Sequence, residues 1–520
     1  MKRSHTIGLA LLALFLGLRL AHLEADPPTH YPTGRFAQEL YVEGPAKAHE
    51  ARRFGLFGTF ETRTADNYRI WSTQSPAYVL PLSGFFRLFG AGYVQLRIFC
   101  ALAASLGFAV FLLLARQHGN PLVAPIAGLL FACSFFDVQL TRSGLLEPYL
   151  DGLLALSFLT GLLALRNLRW LAASHAAFAA ALLTKQTALF ALPPLLALGV
   201  AAHLRARRRG ASPGQHLAVL GAGLGLAAAL LLYVRSPAYW ETVRWNFGHM
   251  IVGVEQHRQL SLGAVKLLAL LDRIATPERW VEGALYIAPL LPLALVPMGR
   301  AIQALVRRRP VEMLDLVAGG WLLCALVALQ LTEHVRPRFS LVLLPPAALL
   351  AASALAWLAT LRAHPLLRAA PLALAAVVAL ATDLRWQARW WSTPTYQLRD
   401  AGAQLGELLG RDDVVVGAWA PVLGFDTAAD TFYVKGPFNT SRAAFTALGV
   451  THLLLRQRDH TGARVKRLAP AAWSGRKREL ELPVLDERIT LFRLPRQQLS
   501  GDPPQSRGAA RSSPGDSESK

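Results

Sequence analysis

Apolar stretches long enough to cross a lipid bilayer recur from residue 7 to residue 384 of this 520-residue chain. A transmembrane helix needs about 20 predominantly apolar residues, and many of these stretches approach that length. The composition agrees, since 53% of residues are hydrophobic and only 17% are charged. Soluble domains average about 25% charged residues. The sequence therefore excludes a soluble enzyme and a disordered chain, and it predicts an all-α polytopic membrane domain over residues 1–384.

We predict about eleven spans, the first of which is an uncleaved signal anchor because no small-residue cleavage motif precedes Glu24. The segment at 76–91 is short, contains two prolines and includes Arg87, so we interpret it as a helix lying in the membrane interface. The predicted spans are residues 7–23, 95–115, 121–138, 148–165, 170–184, 187–204, 216–234, 282–299, 311–331, 339–361 and 366–383.

The formal net charge of +21 is concentrated at one set of span ends. With the N-terminus in the cytoplasm, the cytoplasmic ends carry 15 Lys or Arg residues and no Asp or Glu. This asymmetry follows the positive-inside rule. It places the loops 24–94 and 235–281, and everything after residue 384, on the outer face. The charge is thus a topology signal, and we expect no nucleic-acid partner.

The pattern changes after the last predicted span, at residues 385–497. Strand-like runs occur at 413–420, 451–457 and 488–494, and a capped helical pattern occupies 440–449. We predict a small extracytoplasmic α/β domain here. Residues 498–520 are rich in Ser, Gly, Pro and charge, which is typical of a disordered tail.

Ionisable side chains cluster at the predicted outer ends of the spans. Such groups cost free energy at membrane helix ends unless they pair, hydrate or face a cavity. Each of these groups also has a purely structural interpretation. Loop carboxylates can simply be solvated, arginines can extend to the membrane interface, and opposite charges can form ion pairs between helices. The clusters contain Glu39, Glu43 and Glu50; Arg142, Glu147 and Asp151; Lys185; and Glu333, Arg336 and Arg338.

The order of these motifs resembles that of the GT-C glycosyltransferases that use polyprenyl-phosphate sugars, such as the protein O-mannosyltransferases and the bacterial lipid A aminoarabinose transferases. The first-loop acid, Ala and Gly of the bacterial branch are matched by Glu43, Ala48 and Gly55. The other matching elements are the segment SPAYVLPLSGFFRLFG at 75–90, Arg97, RSGLLEP with Glu147, the LTK turn with Lys185, and RFSLVLLPP with Arg338.

This resemblance implies a GT-C fold and transfer of a sugar from a polyprenyl-phosphate donor to an acceptor hydroxyl of a lipid, glycan or protein. It implies Glu43 as the base, with Glu39 as the alternative and Glu147 as a helper or an orienter of the acceptor. The leaving phosphate would be held by Arg338 and Lys185, with Arg336 in reserve. The location implied is the bacterial inner membrane, with a periplasmic active face.

Some residues keep more than one interpretation. Arg142 and Asp151 are candidates for acceptor contact or for a structural role. His249 and His257 lie near Glu255, but their spacing does not fit an HExxH motif. We therefore expect acceptor contact or plain surface there, and no metal or other cofactor is indicated.

Two other classes of membrane protein remain as alternatives, a transporter and a cell-envelope polymer ligase or polymerase. Transporters often contain internal repeats and carry functional residues near the membrane midplane. This chain shows no convincing repeat between its halves, and its charges concentrate at one face.

Overall fold

The computed structural model describes residues 2–27, 44–49, 51–52, 75–234, 287–331, 337–360, 365–434, 445, 448–457, 460–485 and 487–495. Up to residue 392 the described elements are helical, as the sequence predicts. The helices are α1 (Lys2–Leu20), α2 (Pro76–Phe89), α3 (Tyr93–Ala115), α4 (Val123–Ala132), α5 (Phe135–Arg142), α6 (Glu147–Ala164), α7 (Trp170–Thr184), α8 (Leu192–Arg208), α9 (Pro213–Val234), α10 (Leu291–Val306), α11 (Met313–Leu331), α12 (Leu344–Leu358) and α13 (Pro365–Ser392).

Within the described residues, four helical stretches are long and apolar enough to cross a membrane. They are Tyr93–Ala115, Gln186–Arg208, Met313–Gln330 and Arg338–Leu358; α4 and α5 add a fifth if this pair, bent by 53°, counts as one span. Three shorter apolar helices lie at His5–Leu20, Trp170–Thr184 and Leu291–Val306. Two of the long stretches begin with a 3₁₀ turn, at Gln186–Ala191 and Pro337–Leu343.

The helical core centres on α6, which packs against α3, α7 and α8. A close approach between α3 and α6 occurs at Gly107 and Gly152, where a Cβ on either glycine would lie 2.7 Å from the Cα of the other. Small residues at such crossings let membrane helices approach closely. At α1, Phe15 stacks on Phe108 with ring centroids 4.3 Å apart.

The C-terminal part is an α/β domain built on a five-stranded mixed sheet in the order β2-β1-β3-β5-β4. β1 pairs in parallel with β2 and β3, whereas β5 runs antiparallel to β3 and β4. Its elements are α14 (Gln397–Leu408), β1 (Val414–Gly417), α15 (Ala420–Leu423), β2 (Asp430–Tyr433), β3 (His452–Arg456), α16 (His460–Leu468), α17 (Pro470–Ser474), β4 (Lys477–Val484) and β5 (Glu487–Arg493).

Three of these strands agree with the sequence prediction, while β2 and β4 were not predicted. The predicted helix at 440–449 lies mostly outside the described residues, as does the predicted tail. Helix α13 continues to Ser392, past the end of its predicted span.

Asp26, just after α1, joins the C-terminal domain to the helical part. Its carboxylate accepts hydrogen bonds from the Thr395 hydroxyl at 2.7 Å and from the backbone N–H groups of Gln397 and Leu398 at 2.8 and 3.0 Å. A carboxylate in this position caps the first turn of a helix, here α14. The domain is therefore anchored at the end of α1.

Candidate functional site

Three of the predicted site residues meet in one buried cluster. Glu147 Oε1 accepts a hydrogen bond from Lys185 Nζ, and the Nε atom of Arg338 lies 3.5 Å from the same oxygen. The Glu147 and Arg338 side chains are 4% and 5% exposed, and that of Lys185 is 14% exposed. We call Glu147, Lys185 and Arg338 the charge cluster.

Each member of the charge cluster lies where a helix begins or ends. Glu147 is the first residue of α6, and Pro148 follows it in the first turn, a position that proline favours. Lys185 is the extended residue between α7 and the next 3₁₀ turn, with φ −159° and ψ 139°. Arg338 lies in the 3₁₀ turn that precedes α12. These breaks let long polar side chains gather at one end of apolar helices.

The charge cluster brings two cations and one carboxylate together among the described residues. The ring of Phe339 lies beside both cations, 4.9 Å from Lys185 Nζ and 5.3 Å from Arg338 Cζ, measured to the ring centroid. Buried charge is expensive unless it is compensated. Arg can hold phosphate oxygens with two donors and Lys holds them as a point charge, so two cations at one place are suited to a phosphate group.

Asp151 lies one helical turn after Glu147 on α6 and is 2% exposed. Among the described residues, neither of its carboxylate oxygens has a hydrogen-bond partner. The structure thus pairs Asp151 with neither Arg142 nor the two cations of the charge cluster. Asp151 is therefore a buried acid beside the charge cluster, with no hydrogen bond to any described residue.

Arg142 has a structural environment in the described part of the chain. It donates hydrogen bonds to the backbone carbonyls of Arg19, Ala21 and His22, and its guanidinium lies 4.3 Å from the Trp390 ring centroid. Arg97 continues this network by donating to the carbonyls of Ala25 and Arg142 at 2.7 and 3.1 Å. The two arginines fix the chain as it leaves α1, which favours the structural interpretation of Arg142.

A second buried ion pair was missed in the sequence. Arg19 of α1 donates from Nε to Asp137 of α5 at 2.9 Å, and both side chains are almost fully buried. The signal was Asp137 inside an apolar span, since an acid at membrane depth needs a partner. Arg19 and Asp137 are 118 residues apart in the sequence, so the spacing of charged residues along the chain could not predict that they pair.

The loop after α1 contributes a short helical piece, residues 44–49 and 51–52, which we call the first-loop segment. Its Gly44 packs so closely that a Cβ there would overlap the carbonyl oxygens of Ser143 and Gly144. That turn lies just before Glu147. The segment is helical, and it brings the chain next to the turn that precedes Glu147.

Five predicted site residues lie outside the described residues: Glu39, Glu43, Arg336, His249 and His257. In the part of the chain that the structure describes, no three His, Cys, Asp or Glu residues are grouped in a way that could hold a metal ion. The described site is therefore a charge cluster with an acidic neighbour.

Comparison with protein families supports the resemblance drawn from the motifs. Residues 73–234 match the family model described as dolichyl-phosphate-mannose-protein mannosyltransferase. This stretch contains α2, Arg97, Glu147 and Lys185. No curated protein sequence matches the chain significantly.

Solved structures share the fold over most of the chain. ArnT from Cupriavidus metallidurans bound to undecaprenyl phosphate is 16% identical with a TM-score of 0.58, covering 94% of this chain and 97% of that one. Its apo form is 17% identical with a TM-score of 0.56, and the match covers 95% of this chain and 98% of that one. The oligosaccharyltransferase AglB from Archaeoglobus fulgidus, in complex with an inhibitory peptide and a dolichol-phosphate, is 15% identical with a TM-score of 0.53. The match covers 87% of this chain and 69% of that one. The chain thus shares its overall fold with these three structures.

Proposed function

We propose that the protein is an integral-membrane glycosyltransferase that moves a sugar from a polyprenyl-phosphate donor to an acceptor hydroxyl. The observation that carries this proposal is the charge cluster, which gathers one Lys and one Arg around one buried carboxylate at the ends of apolar helices. The family match over residues 73–234 supports the same reaction class. The ligands bound to ArnT and AglB are lipid phosphates, which supports a donor of that chemistry.

Lys185 and Arg338 hold the donor phosphate in this mechanism. The C–O bond between the anomeric carbon and the phosphate oxygen breaks, and its electron pair stays on the phosphate. The growing negative charge is stabilised by cations already held in place by Glu147, which is electrostatic preorganisation. Glu147 acts here as a positioning residue for both cations, in place of the helper or acceptor-orienting role that the resemblance implies.

Glu43 accepts the proton of the acceptor hydroxyl while that oxygen attacks the anomeric carbon from the side opposite the phosphate, so the reaction inverts the anomeric centre. Support comes from its chain neighbour Gly44, which packs against the turn at Ser143 and Gly144. Glu39 is the second candidate base, and Arg336 is a further candidate phosphate ligand. Arg142, Asp151, His249 and His257 are not assigned a chemical step.

The membrane arrangement that accompanies this proposal has eleven spans, a cytoplasmic N-terminus and a periplasmic C-terminal domain in a bacterial inner membrane. Its support is the absence of acids and the excess of Lys and Arg at the predicted cytoplasmic ends. The charge cluster and the C-terminal domain then lie on the same, outer side. The donor lipid reaches the cluster from the bilayer.

The test is a transfer assay with the purified protein in liposomes. Polyprenyl phosphates carrying different sugars are supplied with cell-envelope extract as the acceptor source, and the released polyprenyl phosphate is quantified. Glu43→Gln keeps the side chain's size but removes the base, so we expect release to fall by at least about 100-fold, the usual scale of base catalysis. The matched control is Glu407→Gln, at an exposed glutamate of the C-terminal domain.

Release by the wild type and by Glu407→Gln, together with its loss in Glu43→Gln, would support both the reaction and the base. Equal release by all three proteins would reject Glu43 and direct the test to Glu39→Gln. No release from any donor would reject the donor class and favour a transporter or another envelope-polymer enzyme.

A further inference from the structure

The first-loop segment is bound to the C-terminal domain through a buried histidine. His49 Nε2 lies 3.0 Å from the Pro421 carbonyl oxygen and 2.8 Å from the Thr431 hydroxyl oxygen. Since a carbonyl oxygen only accepts, His49 Nε2 is the donor. The imidazole also contacts the edge of Phe425, with ring centroids 4.6 Å apart. His49 is 2% exposed, so the contact is fully enclosed.

Arg52 adds a second attachment at the same place. Its guanidinium donates from Nη1 to the Phe425 carbonyl at 2.9 Å and from Nη2 to the Thr427 carbonyl at 3.3 Å. Two parallel donors fix direction as well as distance, which one donor cannot do. Asp426, between Phe425 and Thr427, accepts a hydrogen bond from the backbone N–H of Tyr93 at 2.8 Å and so caps α3.

The loop of the C-terminal domain therefore holds both the first-loop segment and the start of α3. Phe425 is 1% exposed and packs in one apolar cluster with Ala48 and Ala51 of the segment and with Leu146. Leu146 directly precedes Glu147. At its other end the segment abuts the turn at residues 143–144 through Gly44. The first-loop segment thus connects the C-terminal domain with the turn at residues 143–144 and with Leu146, both just before Glu147.

We infer that the C-terminal domain acts as the positioning element for the first outer loop, and that His49 and Arg52 are positioning residues for sugar transfer. Gly44 is the residue after Glu43, so fixing the segment fixes the chain from which the base projects. This inference rests on the proposed function for its catalytic consequence. The docking itself rests only on the contacts with Pro421, Phe425, Thr427 and Thr431.

The expected effect is on the rate of transfer and not on donor binding. A reacting group displaced by about 1 Å can lose roughly 100-fold in rate. For His49→Ala and Arg52→Gln we therefore expect kcat to fall by about 10-fold or more, with KM for the donor changing by less than about 3-fold, since positioning governs the chemical step. The matched control is Arg467→Gln, at an exposed arginine of α16.

A gentler pair of variants keeps the test valid if His49→Ala fails to fold. Thr431→Ser retains the hydroxyl that contacts His49, while Thr431→Val removes it at nearly constant shape. We expect Thr431→Ser to transfer sugar like the wild type and Thr431→Val to lose kcat in the manner of His49→Ala. Arg52→Lys keeps the charge but loses the paired donors, so we expect it to behave like Arg52→Gln.

Hydrogen–deuterium exchange of the full-length protein gives a readout that does not depend on activity. The amides of the first-loop segment should exchange faster in His49→Ala, Arg52→Gln and Thr431→Val, while those of β1, β3 and β5 keep their wild-type rates. Unchanged exchange in the segment, or a loss confined to donor KM, would overturn the inference. If the wild type transfers no sugar, the proposed function fails, and the exchange result alone decides whether the docking is as inferred.

Discussion

Glu147 balances two cations that reach it from distant parts of the chain, Lys185 and Arg338. At the end of an apolar helix, a buried cation costs free energy of desolvation, and a close carboxylate offsets that cost. The side chains of Glu147 and Arg338 are almost fully buried. The cluster is consequently a unit whose members should not respond independently to substitution.

Removal of the carboxylate tests this dependence. We predict that Glu147→Gln lowers the free energy of unfolding by about 3 kcal/mol, since it removes the carboxylate that contacts both buried cations. The double variant Glu147→Gln with Lys185→Met should lose less than the sum of the two single losses. Unfolding of the purified protein in mixed micelles measures all four corners of the cycle. Strictly additive losses would show that the two residues are not energetically coupled.

Asp151 presents the opposite case, a buried carboxyl group with no described hydrogen bond. An unsatisfied buried polar group costs about 1–3 kcal/mol. We therefore predict that Asp151→Ala preserves or raises the thermal midpoint of unfolding. A drop of several degrees in Asp151→Ala would mean that Asp151 forms a stabilising bond. Its effect on sugar transfer, measured on the same protein, then separates substrate contact from a passive position.

Glu147, Lys185 and Arg338 could be chosen from the sequence because each stands at the end of an apolar run, where a charge must have a partner. The sequence did not show that they contact one another, since their distance along the chain says nothing about the packing of α6 and α7. Arg142 shows the same limit. The sequence left acceptor contact and a structural role open for Arg142, while the structure directs its guanidinium to carbonyls at the end of α1.

At the level of elements, the position of α6 matters most because it carries both Glu147 and Asp151. The backbone of α6 meets that of α3 at Gly107 and Gly152, with no room for a side chain between them. The two helices are held close by packing along their length. A change at this crossing should therefore be felt at the charge cluster, although neither glycine belongs to it.

Gly152→Ala puts a methyl group against the α3 backbone, and we predict a loss of stability of about 1–3 kcal/mol, typical of overpacking, together with reduced transfer. The control is Gly84→Ala in α2, where nothing lies within 4 Å of the added Cβ. Alanine favours helix over glycine by about 1 kcal/mol, so the control should be neutral or slightly stabilised. A comparison of thermal midpoints distinguishes the two. Equal behaviour of the two variants would contradict the close crossing.

Element prediction from the sequence succeeded where apolar length or alternation was strong, as in α3, α12, β1, β3 and β5. It failed where the local signal was weak. β2 has only four residues, Asp430–Tyr433, and β4 begins with charged residues, so neither has the composition of a buried strand. The bend between α4 and α5 was also not predicted, because the apolar run continues on both sides of Ser134 and no long polar interruption marks the bend.

At the scale of the whole molecule, the C-terminal domain, the first-loop segment and the charge cluster form one continuous assembly at the same end of the helices. Asp26 caps α14, Phe425 packs beside Leu146, and His49 donates to the domain's backbone. The charge asymmetry of the loops predicts that this end lies on the extracytoplasmic side of the membrane.

Cysteine labelling of whole cells tests that side. We predict that a cysteine replacing the exposed Glu407 reacts with a membrane-impermeant maleimide, whereas one replacing the exposed Arg208 reacts only after the membrane is opened. The native cysteines give a low background, since Cys100 and Cys133 are buried and Cys324 is partly buried. The reverse pattern would invert the proposed topology and place the charge cluster in the cytoplasm.

The most direct measurement of the central claim is the affinity of the purified protein for polyprenyl phosphate itself, the product that every such donor releases whatever its sugar. We predict saturable binding that Lys185→Ala and Arg338→Ala each weaken by about 10-fold or more, the scale of a charge-assisted contact of about 1.5–3 kcal/mol. Arg467→Gln should bind like the wild type. Binding that is equally tight in all four proteins would contradict a phosphate site at the charge cluster.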